Sequence, residues 1–270
     1  MQQKTKSCPL KDGFFDNLSG QVVMTEDGSP TIRGPWGETY HSVSGAVLES
    51  QYVYVDNGLG YFTHLGILEG IIPSRMHILE MGLGTGLNAL LTYRQMIHGT
   101  FPATDSIFYE AAELFPPAAK ILEQLNYTAS EEEDAFFRNM HRGPWNEPFC
   151  PAPGFTLLKR KENFVNYVPG KEIHVIYYDA FSPAVQPELW TGDIFEKIAP
   201  FLAQNAVLTT YCCRGSVRKS LKDAGFMTER LPGPGRKRHI LRAVYGVQHL
   251  RITGVMDLKG SIALWKTPCE

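Results

Sequence analysis

The chain has 270 residues, 43% of them hydrophobic and 20% charged, with a formal net charge of -2. That length and apolar fraction supply a full core and exclude a disordered chain or a disulfide-held miniprotein; they suit one large α/β domain, alone or with an appended piece. No apolar run approaches the roughly 18 residues of a membrane span, and the start, Met1 to Lys6, leads into Cys8-Pro9 rather than a hydrophobic leader, so a cytoplasmic address is expected.

Residues 1–65 read as a β-rich extension packed on the core, with strand-like runs at 22–25 and 52–55 and turns at 26–29 and 56–58. From Met76 the grammar changes to strand 76–81, glycine turn, helix 88–97, strand 107–112 and helix 116–125. Further strands are predicted at 155–158, 173–178, 207–211 and 226–230, and helices at 187–198 and 216–224. This alternation predicts a Rossmann-like α/β fold over residues 66–247, a doubly wound and mostly parallel sheet. Between 130 and 153 the pattern breaks into an acidic run, Glu131 to Asp134, and a proline-rich stretch, read as an insertion over the sheet edge or a lid. Residues 248–270 form a C-terminal tail whose strand-like pieces have no place in this scheme.

The sharpest local signal is Glu80-Met81-Gly82-Leu83-Gly84-Thr85-Gly86-Leu87-Asn88, set between an apolar strand and a helix. Glycines there let the backbone approach a ligand at the carboxyl end of the strand, where sheets of this kind bind cofactors. A dinucleotide turn would read G-x-G-x-x-G under a pyrophosphate, whereas this one reads G-x-G-x-G with an acidic residue two places ahead. It resembles motif I of class I S-adenosylmethionine methyltransferases, whose cofactor brings an ammonium and a sulfonium in place of phosphate. The resemblance implies that Glu80, Gly82, Gly84, Thr85, Gly86 and Asn88 form the cofactor turn. The next strand should end in a carboxylate for the ribose hydroxyls; Glu110 and Glu113 compete, and Glu113 is favoured because the strand runs out there.

A second buried strand, 173–178, ends at Asp179-Ala180-Phe181-Ser182-Pro183. That segment and Gln186-Pro187-Glu188-Leu189-Trp190, Thr209-Thr210-Tyr211, Gly215-Ser216-Val217-Arg218, Ala224-Gly225-Phe226 and Gly233-Pro234-Gly235-Arg236-Lys237-Arg238, in that order, resemble the methyltransferase domain of the MnmC family, which modifies the wobble uridine of tRNA. Tyr40-His41-Ser42, Glu49-Ser50 and Tyr52-Val53-Tyr54 resemble its lead-in. The resemblance spans roughly residues 20 to 245; it departs at His239-Ile240-Leu241 and at Leu114. It implies S-adenosylmethionine as cofactor and transfer of its methyl group to the primary amine of 5-aminomethyl-(2-thio)uridine, with Asp179 beside both cofactor and amine. Bifunctional members carry an FAD-dependent oxidase domain that this chain is too short to hold, so a stand-alone methyltransferase is expected, a monomer served by a separate enzyme that makes the aminomethyl group.

The chemistry is compatible. Displacement at a sulfonium requires positioning, and the amine must be neutral, which with a lysine-like pKa costs about 4–5 kcal/mol at pH 7; Asp179 can take that proton. Phe181, Trp190 and Tyr211 are candidates to stack on a flipped base, against core packing for each. Residues 211–242 hold nine Lys/Arg against Asp223 and Glu229, a surplus of seven in a chain of net charge -2. Arg236, Lys237 and Arg238, after a Pro-Gly-Pro-Gly loop, are therefore expected to contact tRNA phosphates. The five cysteines, Cys8, Cys150, Cys212, Cys213 and Cys269, include no C-x-x-C pair, which predicts reduced thiols and no metal site. Three other readings compete: a spermidine-synthase-type aminopropyltransferase, a nicotinamide oxidoreductase, disfavoured by the glycine spacing, and a non-catalytic tRNA-binding subunit.

Overall fold

The computed structural model describes residues 20–34, 37–70, 72–99, 106–170 and 172–246. Cys8, Cys269 and the tail from Gln248 lie outside the described residues. The chain opens with a two-stranded antiparallel sheet, β1 (Gln21–Met24) and β2 (Pro30–Arg33). There follows a continuous helical stretch: α1 (Ala46–Ser50), a π-helical segment (Gln51–Gly60) and α2 (Tyr61–Glu69), ended by Gly70 in the left-handed conformation. The α/β part comprises β3 (Arg75–Met81), α3 (Leu87–His98), β4 (Ser106–Ala112), α4 (Ala119–Leu122), α5 (Glu131–Arg142), β5 (Pro148–Ala152), β6 (Phe155–Arg160) and β7 (Ile173–Tyr178). After a 3₁₀ turn at Pro187–Trp190 come α6 (Gly192–Ile198), β8 (Leu202–Thr210), α7 (Gly215–Asp223), β9 (Phe226–Pro232) and β10 (His239–Tyr245).

The main sheet has eight strands in the order β5-β6-β4-β3-β7-β8-β10-β9. Strands β6, β4, β3, β7 and β8 are parallel; β5 at one side and β10 at the other run antiparallel to them, and β9, antiparallel to β10, returns to the common direction. From β3 the chain winds outward through β4 to β6 and then returns to lay β7 on the other flank of β3. That reversal opens a crevice at the carboxyl ends of β3, β4 and β7, the place where such sheets bind ligands. One face of the sheet is covered by α3, α5 and the π-helical segment, packed around Tyr93, Tyr109, Phe136 and Phe155; the other is covered by α6 and α7 around Tyr178, Phe195, Val217 and Leu221. The stacked pair Tyr93 and Phe136, 4.1 Å apart, adds roughly 0.5–1.5 kcal/mol beyond the area it buries.

Several elements depart from the sequence-based expectation or give it detail. Residues 52–55 are helical: Val53, Tyr54 and Val55 are all buried, so the run faces the core as one block, where a half-buried strand would bury alternate residues. Residues 130–153, read as an insertion over the sheet edge or a lid, hold α5 and the edge strand β5, between β4 and β6 in the chain. The acidic run is the first turn of α5, where negative charge complements the helix dipole and the Ser130 hydroxyl accepts the Glu133 N–H. The helices predicted at 116–125 and 187–198 are shorter, the second interrupted by extended backbone at Thr191. Finally, β10 was not expected, because Arg242 interrupts its apolar run. Its guanidinium is buried 3.5 Å over the Tyr61 ring and bonds Glu229 at 2.8 Å, so this member of the basic segment offers nothing to a surface ligand.

Candidate active site

A cavity of about 860 Å³ opens at the crevice. Its floor is the glycine turn. Gly82 N–H bonds the Ala112 carbonyl at 2.9 Å and Asp179 N–H bonds the Met81 carbonyl at 3.0 Å, so the three strand ends are tied together. Gly82 has φ +87° and a Cβ there would lie 2.8 Å from the Asp179 carbonyl oxygen; Gly84, at φ +52°, would press its Cβ to 3.1 Å from the Tyr40 ring. Only glycine fits either position without strain.

Around this floor stand the carboxylates. Glu113 lines the cavity, its two oxygens accepting the N–H groups of Gly84 at 3.0 Å and Phe115 at 2.7 Å. Glu110 points through the opposite face of the sheet to Arg160 and His77 and does not reach the cavity. Glu80 is fully buried behind the turn and touches the site through Asn88, whose Nδ2 donates to Glu80 Oε1 at 2.8 Å and to Asp179 Oδ2 at 2.9 Å. Asp179 lines the cavity and also accepts the Tyr54 hydroxyl at 2.5 Å. Burial, aided by the nearby Glu49 charge, pushes its carboxyl up to about 7. Thr85 contacts His41, whose imidazole burial lowers to about 4, keeping it neutral.

The aromatic and basic candidates separate. Phe181 lines the cavity edge-on to Tyr40, ring centres 5.2 Å apart, and Tyr211 lines it with its hydroxyl donated to the Ala180 carbonyl at 2.8 Å. Trp190 does not line it: the ring is 5% exposed, packs on Tyr178 and donates its N–H to the Phe181 carbonyl at 2.8 Å, so the stacking role expected of it is corrected to core packing. Lys237 is turned inward, paired with Glu49 and seated 4.3 Å over the Tyr211 ring, and it lines the cavity, which removes it from a surface phosphate track. Arg236 is exposed and pairs with Glu26 at 2.5 Å; Arg238 is exposed. Tyr40, Glu49 and Tyr54 belong to the lead-in segments, and sequence reasoning assigned them no role at the site.

Residues 158–246 match a family model described as S-adenosyl-L-methionine-dependent methyltransferase. Over 245 residues, covering 85% of this chain, the sequence is 29% identical to the tRNA 5-methylaminomethyl-2-thiouridine biosynthesis bifunctional protein MnmC of Idiomarina loihiensis; with the MnmC of Pseudomonas paraeruginosa it is 30% identical over 249 residues. The chain is similar to the MnmC proteins over part of their length. It spans 39% and 36% of the length of those two proteins, respectively. The crystal structure of MnmC2 from Aquifex aeolicus superposes with a TM-score of 0.65 at 24% identity, covering 84% of this chain and 71% of that one, which establishes the shared fold. The fold is the one shared with MnmC2, and the family model matched over residues 158–246 is one of S-adenosylmethionine-dependent methyltransferases.

The cavity fits that cofactor. Asn88 Oδ1 is buried without a hydrogen-bond partner beside the turn, an acceptor suited to an ammonium. The turn admits no Cβ where a ligand must approach, and the donor set is oxygen-rich with no phosphate-binding cation on the turn. Among the described residues no group of three His, Cys, Asp or Glu is placed to hold a metal ion, and no helix is long and apolar enough to cross a membrane.

Proposed function

We propose that the protein methylates the primary amine of 5-aminomethyl-(2-thio)uridine at the wobble position of tRNA. The observation that carries this reading is Asp179: a carboxylate at the mouth of the glycine turn, in a cavity large enough for a nucleoside beside the cofactor, with its proton affinity raised to near neutrality. Glu113 would hold the ribose hydroxyls and Gly82 to Gly86 with Asn88 the amino-acid end. Bound there, S-adenosylmethionine supplies a methyl group on a sulfonium, open to displacement by a neutral amine. Asp179 receives the acceptor ammonium, orients it and accepts one of its protons, a transfer that a carboxyl near pH 7 performs far more readily than one near 4. Phe181 and Tyr211 present ring surface to a uracil extruded from the anticodon loop, and Arg238, with Arg236, meets phosphate outside the cavity. The acceptor group is furnished by a separate enzyme that installs the aminomethyl arm.

The test is methylation of tRNA bearing the aminomethyl nucleoside, read by mass spectrometry of the digested nucleosides. The expected result is the methylaminomethyl nucleoside from the wild type, with Asp179→Ala slower by about 10²–10⁴ while tRNA affinity changes little. Near wild-type turnover in that variant overturns the role of Asp179. Transfer to a small polyamine with no reaction on tRNA would favour the aminopropyltransferase reading.

A further inference from the structure

Asp179 is held by a donor on each oxygen: the Tyr54 hydroxyl on Oδ1 at 2.5 Å and Asn88 Nδ2 on Oδ2 at 2.9 Å. Each carboxylate oxygen accepts along two lone pairs, so each keeps one site for a substrate N–H. Asn88 comes from the glycine turn and its helix, as expected of the cofactor side. Tyr54 comes from elsewhere, a π-helical segment of ten residues, Gln51–Gly60. Such geometry is rare, is mostly confined to single turns, and concentrates at functional sites. Here the widened turns drive Tyr54 into the core at 1% exposure, its ring 5.5 Å from Tyr177, and seat Gly58 where a Cβ would stand 3.0 Å from both Tyr177 and Thr209. The helix is thereby pressed against β7 and β8, and the only polar atom of the Tyr54 side chain emerges at the carboxylate.

We propose that Tyr54 is a positioning residue of the site: together with Asn88 it fixes the Asp179 carboxylate in one orientation, and the π-helical segment is the device that delivers its hydroxyl there. The inference rests on the reading of Asp179 as the amine-facing group. A carboxylate free to rotate about its χ angles would lose the two-point grip on an ammonium, and the Tyr54 bond also favours the ionised form. The charged and titratable groups around Asp179 are Glu49 from α1, Glu80 from β3, Tyr109 from β4, Tyr211 after β8 and Lys237 from the β9-β10 loop. Burial and Glu49 raise its proton affinity, whereas Tyr54, Asn88 and Lys237 lower it.

Tyr54→Phe keeps the ring and its contact with Tyr177 and removes only the donor. The acid limb of the kcat profile should then move up by about one to two pH units, the value of a hydrogen bond to a charged group. At pH 7 kcat should fall by about tenfold, with KM for tRNA changed less than about twofold and the rates converging in alkali. A lowered kcat with an unmoved acid limb would mean a packing role only, and an unchanged profile would mean none; either overturns the proposal. A second readout needs no substrate. With ¹³C-carboxyl-labelled aspartate, the Asp179 resonance, identified by its loss in Asp179→Asn, should titrate at higher pH in Tyr54→Phe. Conversely, 3-fluorotyrosine introduced at position 54, a more acidic donor in the same packing, should lower that midpoint, which keeps the test available if the phenylalanine variant does not fold. A midpoint that does not respond overturns the inference whatever the acceptor proves to be. Failure of the wobble-amine reading shows separately, as absence of methylation by the wild type.

Discussion

The two halves of the cavity are built by opposite means. The cofactor half is made from one short stretch, Gly82 to Asn88, with Glu113 bonded back onto Gly84, and its shape depends on backbone conformation. The acceptor half is collected from distant chain: Tyr54 and Asp179 are 125 residues apart, Glu49 and Lys237 188 apart, and its character depends on side-chain electrostatics under burial. Substitutions in the first half should therefore act on ligand affinity through sterics, and those in the second on proton affinity and turnover.

The largest effect is expected from Gly84→Val. A β-branched residue at φ +52° with Tyr40 within 3.1 Å distorts the turn, and cofactor affinity measured by calorimetry should drop by at least about 100-fold while cooperative unfolding persists. Unchanged affinity would break the assignment of the turn. Next comes the contrast within the basic loop. Lys237→Met strands the buried Glu49 and should cost about 1–2 kcal/mol of stability, discounted for the partial exposure of Lys237, and reduce turnover even on the free modified nucleoside by about tenfold. Replacing Arg236 and Arg238 with alanine should spare the free nucleoside reaction and weaken all tRNAs alike, with the log-log salt slope flatter by about 1.4–1.8 for two lost phosphate contacts. Equal responses from the two variants would erase the boundary between cavity and tRNA track.

The pH dependence of stability sharpens the electrostatic side. The Asp179 carboxyl is raised from 3.8 to about 7 on folding, so its contribution is favourable below the unfolded value and is lost as pH climbs through the folded one. Relative to the wild type, Asp179→Asn should therefore be more stable at pH 8 than near pH 3 by about 4 kcal/mol, read from denaturant melts at both values. A gain independent of pH would mean that charge burial is not its source.

The same contrast explains what the sequence disclosed. A glycine turn is a contiguous pattern because backbone freedom is a property of single residues, and the run of β-branched and aromatic residues before Asp179 marks a buried strand end for the same local reason. Tyr54 was illegible: Tyr52 to Val55 alternates like a strand, and only the sheet it packs against decides that the run is helical. Lys237 and Arg242 were grouped with a basic surface because charge counts are blind to direction, and Glu49, Glu229 and Tyr61 turn both inward. Trp190 looked like a base platform by its place after the Asp179 strand, yet its indole N–H already has a carbonyl partner within the core.

Among the described residues the eight-stranded open sheet has two edge strands, β5 and β9, and a sheet edge is a template for pairing with another chain. Strand β5 carries Pro148 and Pro151 among five residues, two positions without an N–H, and its register shifts between Phe149 and Ala152. Strand β9 shows Glu229 and Arg230 exposed and stops at Pro232. Parallel sheets gather their strands slowly from distant chain, and the partly folded molecule must meanwhile coexist with copies of itself. Edges that cannot propagate a ladder protect it from aggregation during that interval.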